Sequence, residues 1–301
     1  MRWGLISTIL VGIFYITNFA FAEMSSTNYQ ILWDTVSSGG SDTSSSASYF
    51  LRDTIGNPAA GTSSSASYSD QAGYRTGIFD QFLSFDLFTQ SSSTQQTATV
   101  LAGTTVTATT TGFSTGDYIA LIQNLGASQV TAIGKIASIG AGTITVDRWK
   151  NNGTAPSIDG TNDYIYKLTG TSAALGTFST SSVSTSTVGF EITIDNDSGY
   201  TIQIMEDGEL RSGSNTIDDV ADGSVTAGSE EYGARSSDTT LTGSTFDTAD
   251  SAITSGFQNI ASESTLQFDS RNFLTLKTAI SSSTVSGSYG QVLTFIASGN
   301  F

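Results

Sequence analysis

Along this chain apolar and polar residues alternate over short runs, and the runs are bounded by Gly, Ser, Asn and Asp. A period of two marks strands with one buried face, and no long stripe at the 3.6-residue helical period competes with it. The clearest case is Val188-Gly189-Phe190-Glu191-Ile192-Thr193-Ile194. It is followed by the polar run Asp195 to Gly199 and then by Tyr200-Thr201-Ile202-Gln203-Ile204, a spacing that predicts a β-hairpin. Residues 274–280 and 287–297 resume strand character. In the last of these, Val292, Leu293, Phe295, Ile296 and Ala297 are apolar on both faces, which predicts a strand inside a sandwich that closes the domain.

Residues 97–170 hold five or six shorter strand-like runs separated by Gly turns, among them Tyr118-Ile119-Ala120-Leu121-Ile122 and Thr143-Ile144-Thr145-Val146. That spacing predicts a small β-barrel or sandwich. The aromatic run from Phe82 to Phe88 reads as a buried strand at the end of the N-terminal segment. The expected fold class is therefore all-β. Its parts are a repeated β-hairpin segment (23–90), a small middle β-domain (97–170) and an antiparallel β-sandwich (188–301), with Ser/Thr-rich connections at 91–96 and 171–187.

The N-terminal segment repeats itself. Tyr29-Gln30-Ile31-Leu32-Trp33-Asp34-Thr35 aligns with Tyr49-Phe50-Leu51-Arg52-Asp53-Thr54, and a degenerate copy begins at Tyr68. Ser-rich sequence introduces each copy, and turns such as Ser38-Gly39-Gly40 and Gly56-Asn57-Pro58 follow the first two. Short tandem strands with such punctuation predict hairpins of an antiparallel sheet, too few to stand alone as a solenoid. Ahead of them, Met1-Arg2, the apolar run to Tyr15 and the small residues of Ala20-Phe21-Ala22 have the layout of a secretory signal peptide (1–22) cleaved before Glu23. The expected location is extracellular or at a cell surface, with no integral membrane segment after cleavage.

Composition narrows the function. The formal net charge is −16, which disfavours nucleic acid and anionic lipid as partners. The chain has no His and no Cys, so the Ser-His-Asp triad, thiol catalysis and most zinc sites are excluded. Carboxylate pairs and Ser-Lys nucleophiles survive, and a glycosidase pair leaves no sequence signature.

Several phrases resemble known exported proteins. The middle phrase Gly112-Phe113-Ser114-Thr115-Gly116-Asp117-Tyr118-Ile119 is similar to compact barrels inserted in exported and phage-associated proteins. The Asn196 to Ile204 stretch, Glu231-Tyr232-Gly233 and the final Gly287 to Ile296 strand resemble secreted Ser/Thr-rich bacterial surface proteins. The nearest C-terminal sandwiches are pilin-like, WxL-like or spore-coat-U-like. This likeness implies a surface structural role. The C-terminal part contains no Trp, so the W-x-L wall-binding motif is missing and wall binding does not carry over.

The densest candidate metal ligands are Asp218, Asp219 and Asp222, an acidic loop with the oxygen chemistry of a weak calcium site. Asp159 to Asp163 and Asp195 to Asp197 are similar clusters, but Asp and Asn are also what turns demand. No catalytic residue and no organic cofactor is nominated. The expected function is a non-enzymatic structural or adhesive protein that self-associates or meets cell-surface polysaccharide. A carbohydrate-binding adhesin and a carboxylate-dependent glycoside hydrolase are the alternatives. Strand donation between copies, by the terminal strand or by one of the N-terminal repeat, is a variant of the first reading.

Overall fold

The computed structural model describes residues 82–300 and, ahead of them, six short strands between residues 24 and 72. The signal-peptide and cleavage-site expectations lie outside the described residues. The chain divides into two units, Met1–Asp80 and Gln81–Phe301. In the first, β1 (Met24–Ser25) pairs with β2 (Gln30–Ile31), β3 (Gly39–Ser45) with β4 (Phe50–Ile55), and β5 (Gly61–Ser64) with β6 (Ser69–Ala72), all antiparallel. In the second copy, Gly- and Ser-rich sequence thus supplies one strand of the pair and the apolar run the other.

The fold is all-β, with 49% strand and 1% helix. Among the described residues no helix is long and apolar enough to cross a membrane. The second unit starts with β7 (Leu83–Thr89), which pairs antiparallel with residues 188–194, far along the chain. Between these two partners the chain inserts a barrel. Its strands are β8 (Gln96–Ala102), β9 (Thr105–Ala108), β10 (Tyr118–Gln123), β11 (Val130–Gly140), β12 (Thr143–Val146), β13 (Lys150–Asn151) and β14 (Tyr164–Leu168). The order β10-β14-β8-β9-β12-β11 closes through β10–β11 pairing, and β13 adds to β11. Val106, Ile119, Leu121, Ile144 and Ile165 fill it, all fully buried. The unbroken apolar run of β10 has a simple cause. Ile119 and Leu121 face the barrel core, while Ala120 and Ile122 pack with Phe88 and Phe273 of the sandwich.

The sandwich is built from β15 (Ser184–Ile194), β16 (Tyr200–Glu206), β17 (Leu210–Ser212), β18 (Asn215–Ile217), β19 (Glu231–Ser236), β20 (Gln258–Glu263), β21 (Gln267–Ala279) and β22 (Leu293–Gly299), together with β7. One sheet has the order β19-β21-β15-β7 and the other β20-β16-β22, while β17 and β18 form a small ribbon. Between the two sheets lie Phe190, Ile192, Tyr200, Ile202, Ile204 and Leu274, none more than 1% exposed.

Two expectations are corrected here. The runs Val188–Ile194 and Tyr200–Ile204 are strands, but they do not form a hairpin with each other. β15 pairs with β7 and β21, whereas β16 pairs with β20 and β22. Residues 195–199 arch from one sheet to the other. Gly199 (φ +72) makes the arch possible, since a Cβ there would lie 2.0 Å from the Glu263 carbonyl oxygen. A period of two states which face is buried but not which strand is the neighbour. The terminal strand is also not interior. Among the described residues β22 is an edge strand bonded to β16 alone, and its outward Ile296 is 41% exposed.

Barrel and sandwich meet over the outer face of the four-stranded sheet. Phe88 stacks on Tyr118 with ring centroids 4.1 Å apart, and Tyr118 donates to Glu191 Oε1 at 2.6 Å. Arg271 reaches Glu191 with Nε at 2.6 Å and both carboxylate oxygens of Asp147 with its terminal nitrogens at 2.7 Å. Gly189 faces the same junction, where any Cβ would lie 2.9 Å from Leu168 and 3.1 Å from Phe88.

Candidate functional site

The two lateral sides of the sandwich differ. On the β19/β20 side, residues 237–257 fold over the gap, burying Leu241, Phe246 and Ile253 in the core and bonding Ser251 to Ala234 and Phe246 to Ser236. On the other side β7 and β22 lie near each other with no ladder between them.

Backbone hydrogen bonds fix what those two edges present. Gln90 and Phe82 bond across to β15 and its continuation, through Thr187 and Asp195. Bonded positions alternate in an antiparallel pair, so Leu83, Phe85 and Leu87 turn their N–H and C=O groups away from β15. On β22 the flanking bonds join Val292 to Asp207 and Asn300 to Gly199. Leu293, Phe295 and Ala297 therefore face away from β16 in the same way. Four of these residues, Phe85, Leu87, Leu293 and Phe295, also line an open cleft of about 890 Å³ that reaches inward to Val188 and Leu276.

Its rim is formed by residues 171–178 and 289–292. The first segment is tied down by Thr89, whose hydroxyl donates to the carbonyls of Thr169 and Ser172 at 3.2 and 3.0 Å. Phe178 and Tyr289 meet across the rim with ring centroids 6.4 Å apart. Among the described residues no carboxylate lines the cleft; its polar end is Tyr232, whose hydroxyl accepts from Gln291 Nε2 at 2.8 Å.

Charge is buried around Tyr232. β16 turns Tyr200, Ile202, Ile204 and Glu206 to the core, so the row ends on a carboxylate that is only 5% exposed. Residues 218–220 run beside β19, with Val220 N–H bonded to the Tyr232 carbonyl and Tyr232 N–H to the Asp218 carbonyl. That bridge pairs Asp219 with Tyr232 on one face. Burial, then the neighbouring charge of Asp219, pushes the Glu206 carboxyl up to about 7. Burial, then Glu209 and Asp218, pushes Asp219 up to about 6. Burial and these two carboxylates also raise the Tyr232 phenol. The nearby Arg211 does not neutralise the group, because Asp207 holds its guanidinium at 2.6 Å and is itself pushed down to about 2.

The sequence-predicted metal residues are thus separated. Asp218 and Asp222 are exposed, Asp222 Oδ1 accepts from the Ser224 N–H at 3.0 Å, and Asp219 sits within electrostatic reach of Glu206. Among the described residues no three Asp, Glu, His or Cys side chains gather as a metal set. Asp163 spends both oxygens on backbone N–H groups of Asn124, Asp159 and Gly160, and Asp195 accepts from Phe82 N–H at 2.7 Å. Glu206, Tyr232 and Gln291 were not singled out as a group from the sequence. The available signal was an acid at core parity in an alternating strand. No family model, curated protein or solved structure matches this chain.

Proposed function

We propose that this chain is a non-enzymatic structural or adhesive protein of an exported surface, and that it assembles when a β-strand from a second copy adds to the open side of the sandwich. The observation that carries the reading is the pair of unladdered edges, β7 and β22, flanking an apolar cleft. Strand edges are normally blunted by charge, proline or bulges. β22 reads Leu-Thr-Phe-Ile-Ala-Ser-Gly, with none of these, and β7 has Asp86 alone. An added strand satisfies the edge amides and places alternate side chains against Phe85, Leu87, Leu293 and Phe295.

The two alternatives have less support. A glycoside hydrolase needs two carboxylates facing substrate, whereas Glu206 and Asp219 stand behind Tyr232 and outside the cleft lining. A sugar-binding adhesin needs a row of exposed aromatics on one sheet face. Three aromatics are exposed among the described residues, Phe82, Phe257 and Phe268 at 44%, 47% and 42%, and they come from three separate stretches of chain. Light scattering coupled to size exclusion, followed by electron microscopy, tests the proposal on the full secreted chain. Assemblies larger than a monomer are expected. A strict monomer across the accessible concentration range contradicts it.

A further inference from the structure

The buried carboxylates next to Tyr232 are short of donors. Glu206 Oε2, Asp219 Oδ1 and Gln291 Oε1 are all inaccessible to solvent, and none has a hydrogen-bond partner. They come from three separate stretches of chain that backbone bonds bring together. Glu206 pairs with Leu293, the Asp207 N–H bonds to the Val292 carbonyl, Arg211 pairs with Gly290, and Asp219 pairs with Tyr232. Gln291 lies between two of those bonds and donates to the Tyr232 hydroxyl, which leaves its amide oxygen as an acceptor. The surrounding charges aggravate the deficit, since Asp207, Glu209 and Asp218 are acidic and the single Arg211 is bound to Asp207.

Buried polar atoms in native proteins almost always have a partner, and the exceptions mark an ion, a water or a functional group. Three acceptor oxygens with two formal negative charges and no donor call for a positive, oxygen-seeking species. We infer that Glu206, Asp219 and Gln291 form a binding site for a hard divalent cation, calcium in an extracellular setting. Calcium accepts carboxylate and side-chain carbonyl oxygens together and completes its shell with backbone oxygens and water. The site differs from the loop cluster Asp218, Asp219 and Asp222, with which it shares only Asp219. It also stands apart from the strand-addition edges, since none of its three residues belongs to β7 or β22. Glu206 nevertheless lies opposite Leu293 at the start of β22, so a bound ion ties down the end of the strand that borders the cleft.

The test uses the full chain, stripped with chelator, titrated with calcium chloride at pH 7.5 by calorimetry and by thermal unfolding. One equivalent is expected to bind with a dissociation constant on the order of 10⁻⁴ to 10⁻³ M, the range of extracellular modules, and to raise Tm. Glu206→Gln and Asp219→Asn each keep the shape of the side chain and remove one charge. Either variant, shown folded by circular dichroism, is expected to weaken binding at least tenfold and to lose the calcium-dependent rise in Tm. Asp222→Asn is expected to bind like the parent. Absence of binding at 10⁻² M calcium, or binding that survives both Glu206→Gln and Asp219→Asn, overturns the assignment.

Discussion

Arg271 and Asp147 form a two-pronged ion pair across the junction of barrel and sandwich, with both N–O distances at 2.7 Å. The guanidinium side chain is 2% exposed and its third contact is Glu191 Oε2 on the adjacent strand. One cation thus holds two carboxylates from two sub-structures that are far apart in the chain. Burial alone raises the Asp147 carboxyl, but the hydrogen bonds from Arg271 and from the Arg148 and Lys135 amides outweigh it and hold the group below its usual range.

Replacing Arg271 by Met is expected to cost about 3–5 kcal/mol, because Glu191 is left buried without its counter-charge, holding only the Tyr118 hydroxyl. Denaturant unfolding of Arg271→Met is expected to show separate barrel and sandwich transitions where the parent shows one. Arg271→Lys keeps the charge, loses the fork and falls between the two. Asp147 has a lowered folded pKa, so its contribution is whole above its unfolded-chain value near 3.9 and is lost as pH drops through the lowered value.

The arch between sheets depends on Gly199. An alanine there meets the Glu263 backbone at 2.0 Å and must also adopt φ near +72. Gly199→Ala is expected to destabilise the protein by about 2–4 kcal/mol, measured as a fall in the denaturant midpoint at unchanged m.

Glu206 makes the opposite pH prediction to Asp147. Its folded pKa is raised to about 7, so the folded state holds a proton that the unfolded chain gives up near 4.3. Stability without calcium therefore falls as pH rises from about 4.3 towards 7, and the full penalty persists above 7. Glu206→Gln is expected to flatten that slope and to melt higher than the parent at pH 8. An unchanged slope in Glu206→Gln contradicts the burial of an uncompensated carboxylate at this position.

Alternation made β15, β16, β22 and the end of β21 readable, and the Gly-punctuated runs made a small barrel readable, because both follow from which side chains are buried. β17 to β20 lie in acidic or Gly-rich stretches that carry no such alternation to read. Pairing was harder to read. Val188–Ile194 and Tyr200–Ile204 are adjacent in sequence and each alternates cleanly, yet they lie in different sheets. The apolar character of Ile296 marks an exposed edge position, although the same residue in an interior strand would look identical. The cleft was not visible at all, since Phe85, Phe178, Leu276 and Phe295 meet only after the barrel is inserted between β7 and β15. Glu206 was visible as an acid at core parity, but its neighbours Asp219 and Gln291 come from irregular segments with no periodicity to place them.

Copies that carry a formal charge of −16 repel one another. Association through the open edges is expected to strengthen as salt rises from about 0.01 to 0.15 M, where the screening length falls from about 30 to 8 Å. Light scattering at the two ionic strengths checks this, and association that weakens with added salt points to a charge-driven contact instead.

The most direct test blocks the edges without touching the core ladder. Ala297 and Leu83 turn their N–H groups away from their partner strands, so proline at either position leaves the bonds to β16 and β15 in place. Size exclusion with light scattering on the full chain is then compared with Ala297→Pro and Leu83→Pro, each shown folded by circular dichroism. The account predicts assemblies for the parent and loss of assembly in at least one variant. A monomeric parent, or assemblies that persist unchanged in both folded variants, contradicts it.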